Sequence, residues 1–249
     1  AWDEVRHTLY HKREVEPEIE LPLELLLGDQ VELVEEASPE ETYAGSERVD
    51  FCVSETIIFH NTNKNTNIYR VKSPRCWDVE HPHLYILRTA LWKDGEIIQE
   101  EYSQIGFRSI AFDPEQGFLL NGRKVKLNGV CEHHDLGALG AAFHRAAMAR
   151  KFRILKEMGV NALRGTHNMT APAVVELADQ MGILMISEAF DMWERSKTTY
   201  DYARFFKEWS ERDVESWVMR DRNHPCIILW SIGNEVPTQC SPVGYKVAK

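Results

Sequence analysis

Trp230-Ser231-Ile232-Gly233-Asn234-Glu235 leaves an apolar run and ends on an amide beside a carboxylic acid. Glycoside cleavage needs an acid that protonates the leaving oxygen and then, as carboxylate, draws a proton from water. A neighbouring asparagine can hydrogen-bond a sugar hydroxyl next to the reacting carbon. Taken alone the pair is a weak signal, because a strand-end glutamate is as often the partner of a nearby arginine. Three other polar clusters precede it: Glu132-His133-His134-Asp135, Arg164 to Asn168, and Glu188 to Asp191. His133-His134-Asp135 invites a metal reading, but adjacent histidines rarely converge on one ion, so no metal site is expected there. Asn168-Met169-Thr170 fits a glycosylation sequon, a three-residue pattern that is frequent by chance.

Each cluster follows an apolar run that reads as a strand. From about residue 118 the pattern is strand, helix, strand, helix: strands over Lys124–Val130, Val160–Arg164, Ile183–Ile186 and Cys226–Ile232. A helix over about 144–158 ends at Gly159. Thr170 can cap the next helix, with Pro172 in its first turn and Val174, Leu177, Ala178 and Met181 on one face. A third helix carries Val214, Trp217 and Val218 and stops before Pro225. Polar groups gathered at the carboxyl ends of successive parallel strands are where a (β/α)₈ barrel builds its active site. No glycine-rich turn follows a strand, so a dinucleotide fold is unsupported. Four βα units predict the first half of such a barrel.

The residues up to about 112 have a different period. RVDFCVSETIIFH, IYRVKS, HLYILRTALW and EIIQEEYSQIGFRSI read as short strands, Lys93-Asp94-Gly95-Glu96 as a hairpin turn, and HNTNKNTN as a polar loop. Strands at this spacing predict an immunoglobulin-like β-sandwich. The expected organisation is therefore a β-sandwich over 1–112 and the N-terminal half of a (β/α)₈ TIM barrel over 113–249, an α/β fold joined to an all-β one.

Composition excludes several functions. A net charge of −10 over 249 residues argues against nucleic acid, and no apolar run is long enough to span a membrane; the first residues lack a signal-peptide pattern, which says little about export because the chain is expected to begin inside a domain. The acidity, concentrated before residue 50, reads as a solvated surface. Cys52, Cys76, Cys131, Cys226 and Cys240 are scattered and odd in number, as expected of reduced, mostly buried thiols rather than a disulfide frame or a zinc site.

GFLLNGRKVKLNGV, LKEMGVNALRGTHN, ADQMGILMISEAFDMW and RDRNHPCIILWSIGNE, in this order and spacing, resemble glycoside hydrolase family 2. CWDVEHPHLYILRTALWKDG and IGFRSIAFD look like the end of the immunoglobulin-like domain that precedes that family's barrel. The resemblance is dense over about 76–237. It implies a retaining glycosidase with Glu235 as general acid/base and Asn234 on the sugar's 2-hydroxyl. His133, Arg164 and His167 would line the pocket floor. The loop from Glu188, with Asp191, Trp193, Lys197 and an aromatic run, looks like the β-galactosidase branch; Asp191 would bind hydroxyls and Trp193 would stack on the sugar. Tyr200, Tyr202, Phe205 and Phe206 read mostly as a small core shaping the loop. Met192 stands where some family members place a metal-binding carboxylate, so neither bound magnesium nor a cofactor is expected. Ser187, Gly165 and Met169 also depart from the family's usual residues.

In the family the nucleophile is a glutamate at the end of strand seven, and this sequence has no glutamate after Glu235. The chain is therefore expected to be a fragment, inactive by itself, whose true N-terminus is absent. A carbohydrate-binding module or a half-barrel that pairs with a complementary chain are the other readings. A carbohydrate is the expected partner; homo-oligomerisation and the compartment, cytoplasmic or periplasmic, stay open.

Overall fold

In a computed structural model, residues 4–18, 20, 23–31, 33–35, 56–60, 66–71 and 73–248 are described. The later part of the acidic stretch, over 36–50, Cys52 and the centre of the HNTNKNTN loop lie outside them. The chain divides into two compact units, Ala1–Lys126 and Leu127–Lys249.

The first unit is built of antiparallel strands. One sheet runs β2-β1-β6-β7, from β1 (Glu4–Lys12), β2 (Leu27–Val31), β6 (Tyr85–Lys93) and β7 (Glu96–Ile105). A second runs β3-β5-β4, from β3 (Leu33–Glu35), β4 (Thr56–His60) and β5 (Thr66–Val71). A four-residue helix, α1 (Leu23–Leu26), leads into β2. Lys93 pairs with Glu96 across the predicted turn, where Asp94 (φ 51°) and Gly95 (φ 82°) take the left-handed conformations a two-residue hairpin requires. Leu9, Val71, Tyr85, Leu87 and Phe107 form a buried cluster that joins the two sheets. The sequence reading did not identify β1, because Arg6, His7 and His11 interrupt its apolar alternation although Leu9 is fully buried. A third sheet, β10-β9-β8, comprises β8 (Ile110–Asp113), β9 (Gly117–Leu120) and β10 (Arg123–Lys124). Asp113 pairs with Gly117, so the domain boundary expected at 112 falls within a hairpin whose hydrogen bonds carry the first unit on to Lys126.

The second unit is a parallel sheet in sequential order: β11 (Gly129–His133), β12 (Ala162–Thr166), β13 (Leu184–Glu188) and β14 (Ile227–Ser231). They are joined by α2 (Arg145–Glu157), α3 (Pro172–Met181) and α4 (Ala203–Asp221), and α5 (Pro242–Val247) follows β14. Each helix buries one stripe: Met148, Ala149 and Phe152 on α2, Val174, Leu177 and Ala178 on α3, Phe206, Ser210 and Trp217 on α4. At about 1.5–3 kcal/mol for each large apolar side chain, these stripes hold the strands in place. All four strands begin later than the apolar runs suggest, the first by five residues, and the first three also end two or three residues later. Parallel ladders are main-chain bonds and continue through inward polar side chains, so His133, Thr166 and Glu188 are strand residues. Thr170 does not cap α3. Ala171 occupies the N-cap, and the Thr170 hydroxyl lies against Gly165, where a Cβ would meet it at 2.3 Å.

Candidate active site

Register decides which polar groups meet. Cys131 pairs with Arg164 and Arg164 with Ile186; Glu188, two residues beyond Ile186 and so on the same face, pairs with Ser231. Arg164 therefore points along the strand ends toward Glu188, donating to its Oε2 from Nε (3.0 Å) and Nη2 (2.7 Å). Ser231 Oγ donates to the same oxygen at 2.6 Å, and His167 Nδ1 lies 2.7 Å from Oε1. Glu188 is fully buried, and a buried carboxylate is tolerable only with such a full set of donors. Its hydrogen bonds and charge hold the Arg164 guanidinium above its ordinary pKa against partial burial. The sequence reading passed over Glu188 and Ser231 as site residues; the one available signal was a carboxylate ending an apolar strand.

Arg164 reaches one residue further. Its Nη2 donates to Asn234 Oδ1 at 3.1 Å, while Asn234 Nδ2 donates to Asp191 Oδ1 at 3.0 Å. The guanidinium only donates and the carboxylate only accepts, so the Asn234 amide has one orientation. The Asn234 backbone is held too: its N–H donates to Phe190 O at 3.0 Å, and its carbonyl accepts from Lys197 Nζ at 2.8 Å. Lys197 also donates to Asp191 Oδ1 at 2.9 Å. Partial burial raises the Asp191 pKa, but the bonds from Lys197 and Asn234, the Lys197 charge and His167 outweigh it and leave the carboxyl below its usual value. Both bonds fall on Oδ1, so Oδ2 is the oxygen left to accept from a ligand.

Glu235 follows at φ 48°, a left-handed conformation uncommon for a residue with a side chain. Asn234 anchors it on one side and the buried Val236 on the other, and Glu235 itself is exposed. His133, also exposed, ends β11 and meets the His167 ring edge-to-face at 5.2 Å. The structure thus links Asn234, Arg164, His167 and Asp191 in one network, with His133 against it and Glu235 at its end.

Trp193 departs from its expected role. It is 3% exposed, its Nε1 donates to Ile232 O at 2.7 Å, and its ring stacks on Phe206. Gly233 makes the room, since a Cβ there would lie 2.8 Å from Nε1. A large ring with one N–H gains more from a core position beside an unpaired strand-end carbonyl than from solvent, and no face is left for a sugar. Trp193 belongs to a cluster with Phe190, Phe206, Trp217 and Val236 beneath the loop. Tyr202 joins it, stacked on Phe190 and donating to Asp213 at 2.5 Å; Tyr200 is 80% and Phe205 47% exposed. Ser187 and Gly165 now have reasons: Ser187 accepts from Trp217 Nε1 at 3.1 Å in the core, and Gly165 clears the Thr170 hydroxyl. Among the described residues no three His, Cys, Asp or Glu side chains converge where a metal could sit. The four described cysteines are free thiols, but only Cys226 is buried, since Cys131 and Cys240 lie where the chain faces solvent.

Comparison with known proteins gives two family matches: "Glycosyl hydrolases family 2, TIM barrel domain" over residues 113–248 and "Glycosyl hydrolases family 2" over 28–108. A β-galactosidase of Bacteroides ovatus is 50% identical over 171 residues, 69% of this chain and 20% of that protein. A β-glycosidase structure from Bacteroides vulgatus superimposes with a TM-score of 0.71 at 37% identity, covering 77% of this chain and 26% of the other. A Ruminococcus gnavus β-glucuronidase structure gives 0.63 at 28% identity, covering 74% and 31%. The chain thus spans a fifth of the length of the curated Bacteroides ovatus relative.

Proposed function

The chain belongs to glycoside hydrolase family 2, and from that premise we propose that it carries the acid/base half of a retaining β-glycosidase acting on β-galactosides. The observation that carries the reading is the pinned Asn234-Glu235 pair, with every polar group of Asn234 engaged and the Glu235 carboxyl left toward solvent. Glu235 protonates the glycosidic oxygen as the bond to the anomeric carbon breaks. It later takes a proton from the water that releases the sugar. Asn234 retains one amide hydrogen for the 2-hydroxyl. Asp191 Oδ2 accepts a further hydroxyl, and His133 and His167 border the same space. Arg164 acts from beneath by orienting Asn234.

The four parallel strands are the first half of an eight-stranded barrel. The nucleophile is a second carboxylate, about 5 Å from Glu235 in the assembled pocket, supplied by a segment outside these 249 residues. The galactoside preference draws support from the name of the 50%-identical relative and from the free oxygen of Asp191.

In the full-length protein, Glu235→Gln tests the reading. Hydrolysis of galactosides with poor leaving groups should fall by about 10²–10⁴, the usual contribution of general acid catalysis. Activated aryl galactosides, which need little protonation, should keep most of their glycosylation rate. Equal losses on both would refute the acid/base role, and an inverted first product by NMR would refute retention.

A further inference from the structure

We propose that Lys197 is a positioning residue for the acid/base, acting through the Asn234–Glu235 peptide; the inference rests on the acid/base reading of Glu235. Lys197 stands 37 residues before Asn234, in the loop between β13 and α4, yet its ammonium bridges the Asn234 carbonyl (2.8 Å) and Asp191 Oδ1 (2.9 Å). The carbonyl it grips belongs to the peptide that enters Glu235, the residue at φ 48°. That peptide lies beyond the end of β14, and among the described residues no strand pairs with it. The lysine constrains its plane through the carbonyl, and the plane sets where the Glu235 side chain departs.

The loop delivers the ammonium ready-placed. Asp201 Oδ2 accepts from the backbone N–H of Lys197 (2.6 Å) and Thr198 (2.8 Å), and its Oδ1 from Ala203 N–H (3.1 Å) at the start of α4. Phe190, Tyr202 and Phe206 pack ring against ring beneath. Most exposed lysines hold one acceptor loosely. Here both ends are fixed, one by the Asp201 cap and the aromatic stack, the other by two acceptors of the site. A misplaced acid damages the step that needs its proton. A loosened sugar pocket damages every substrate alike.

The test uses the full-length protein with Lys197→Met and Lys197→Arg beside Glu235→Gln, each assayed on an alkyl and a dinitrophenyl β-galactoside. Lys197→Met should lower kcat/KM on the alkyl substrate by about 10–10², the scale of a small misplacement. It should change kcat/KM on the dinitrophenyl substrate less than about 3-fold, because kcat/KM reports the glycosylation step alone, whereas release of the sugar, which also uses Glu235 and is common to both substrates, shows only in kcat. Lys197→Arg, which keeps charge and donors, should recover most of the loss. Equal losses on both substrates, or none, would overturn the inference. If Glu235→Gln shows the leaving-group split and Lys197→Met does not, only the role of Lys197 fails. If Glu235→Gln itself shows no split, the acid/base reading fails and takes this one with it. Should Met at 197 prevent folding, Lys197→Gln is read by the same criteria.

Discussion

Replacing Glu188 by glutamine removes the carboxylate that Arg164, His167 and Ser231 all address, and the local geometry sets the size of the loss. The side chain is fully buried and receives two bonds from Arg164, at 3.0 and 2.7 Å, and one from Ser231 at 2.6 Å. Breaking a buried pair by removing one charge costs about 3–5 kcal/mol. Arg164 is 31% exposed and recovers some solvation, which places this case near the lower end, about 3 kcal/mol. That is a large share of the 5–15 kcal/mol typical of a domain. At 2–4 °C per kcal/mol it corresponds to a melting shift of about 6–12 °C. Urea unfolding of the 249-residue chain followed by tryptophan fluorescence suits the assay, because Trp193, Trp217 and Trp230 lie in or against the cluster under the site. Arg164→Met should restore part of the stability in the Glu188→Gln background, since the remaining uncompensated charge is then gone. A loss under about 1 kcal/mol, or a double variant less stable than either single one, would show that Glu188 does not hold the strand ends together.

Asp191→Ala in the full-length protein should narrow the preference for galactosides over glucosides and glucuronides, since a partly buried acceptor that bound sugar would cover disfavours a sugar that leaves it unpaired; one common factor of loss on all three sugars would make Asp191 structural. Asp179 is fully buried, accepts the Cys226 N–H at 3.0 Å and sits 2.6 Å from His224 Nδ1. Burial lowers the His224 pKa, but the bond and charge of Asp179, with Asp221 and Glu176, raise it overall. A raised folded pKa makes this contribution complete below the unfolded value near 6.5 and lost as pH climbs through the folded one. Stability measured from pH 6 upward should fall in wild type and fall less in His224→Gln; parallel profiles would contradict the pairing. Gly165→Ala should destabilise by about 1–3 kcal/mol as its methyl meets the Thr170 hydroxyl, and Thr170→Ala should rescue much of that in chemical unfolding; an additive double variant would refute the contact. The 249-residue chain alone should resist labelling by a fluoro-sugar that traps nucleophiles, read by intact mass, and labelling would place a nucleophile among its own carboxylates.

Much of this protein could be read from residue order. The change from short alternating runs to strand–helix repeats marks two kinds of architecture. The Asp94-Gly95 turn forms where its backbone preference puts it, and the polar clusters at the ends of four apolar runs mark where a site would gather, while the roles of Arg164, Asn234 and Glu235 within them come from the family resemblance. These follow from local rules, since periodicity, turn conformation and the direction of a parallel strand depend on near neighbours. The partnerships needed the fold. Arg164 meets Glu188 across 24 residues and Asn234 across 70, and Lys197 finds the Asn234 carbonyl across 37. Strand register and loop path create these contacts, and no spacing in the sequence encodes them. Trp193 shows the reverse case: its residue type suits a sugar platform, but Gly233 and a free strand-end carbonyl draw it into the core. Residue type states what a side chain can do, and only packing decides whether it faces the substrate or the interior.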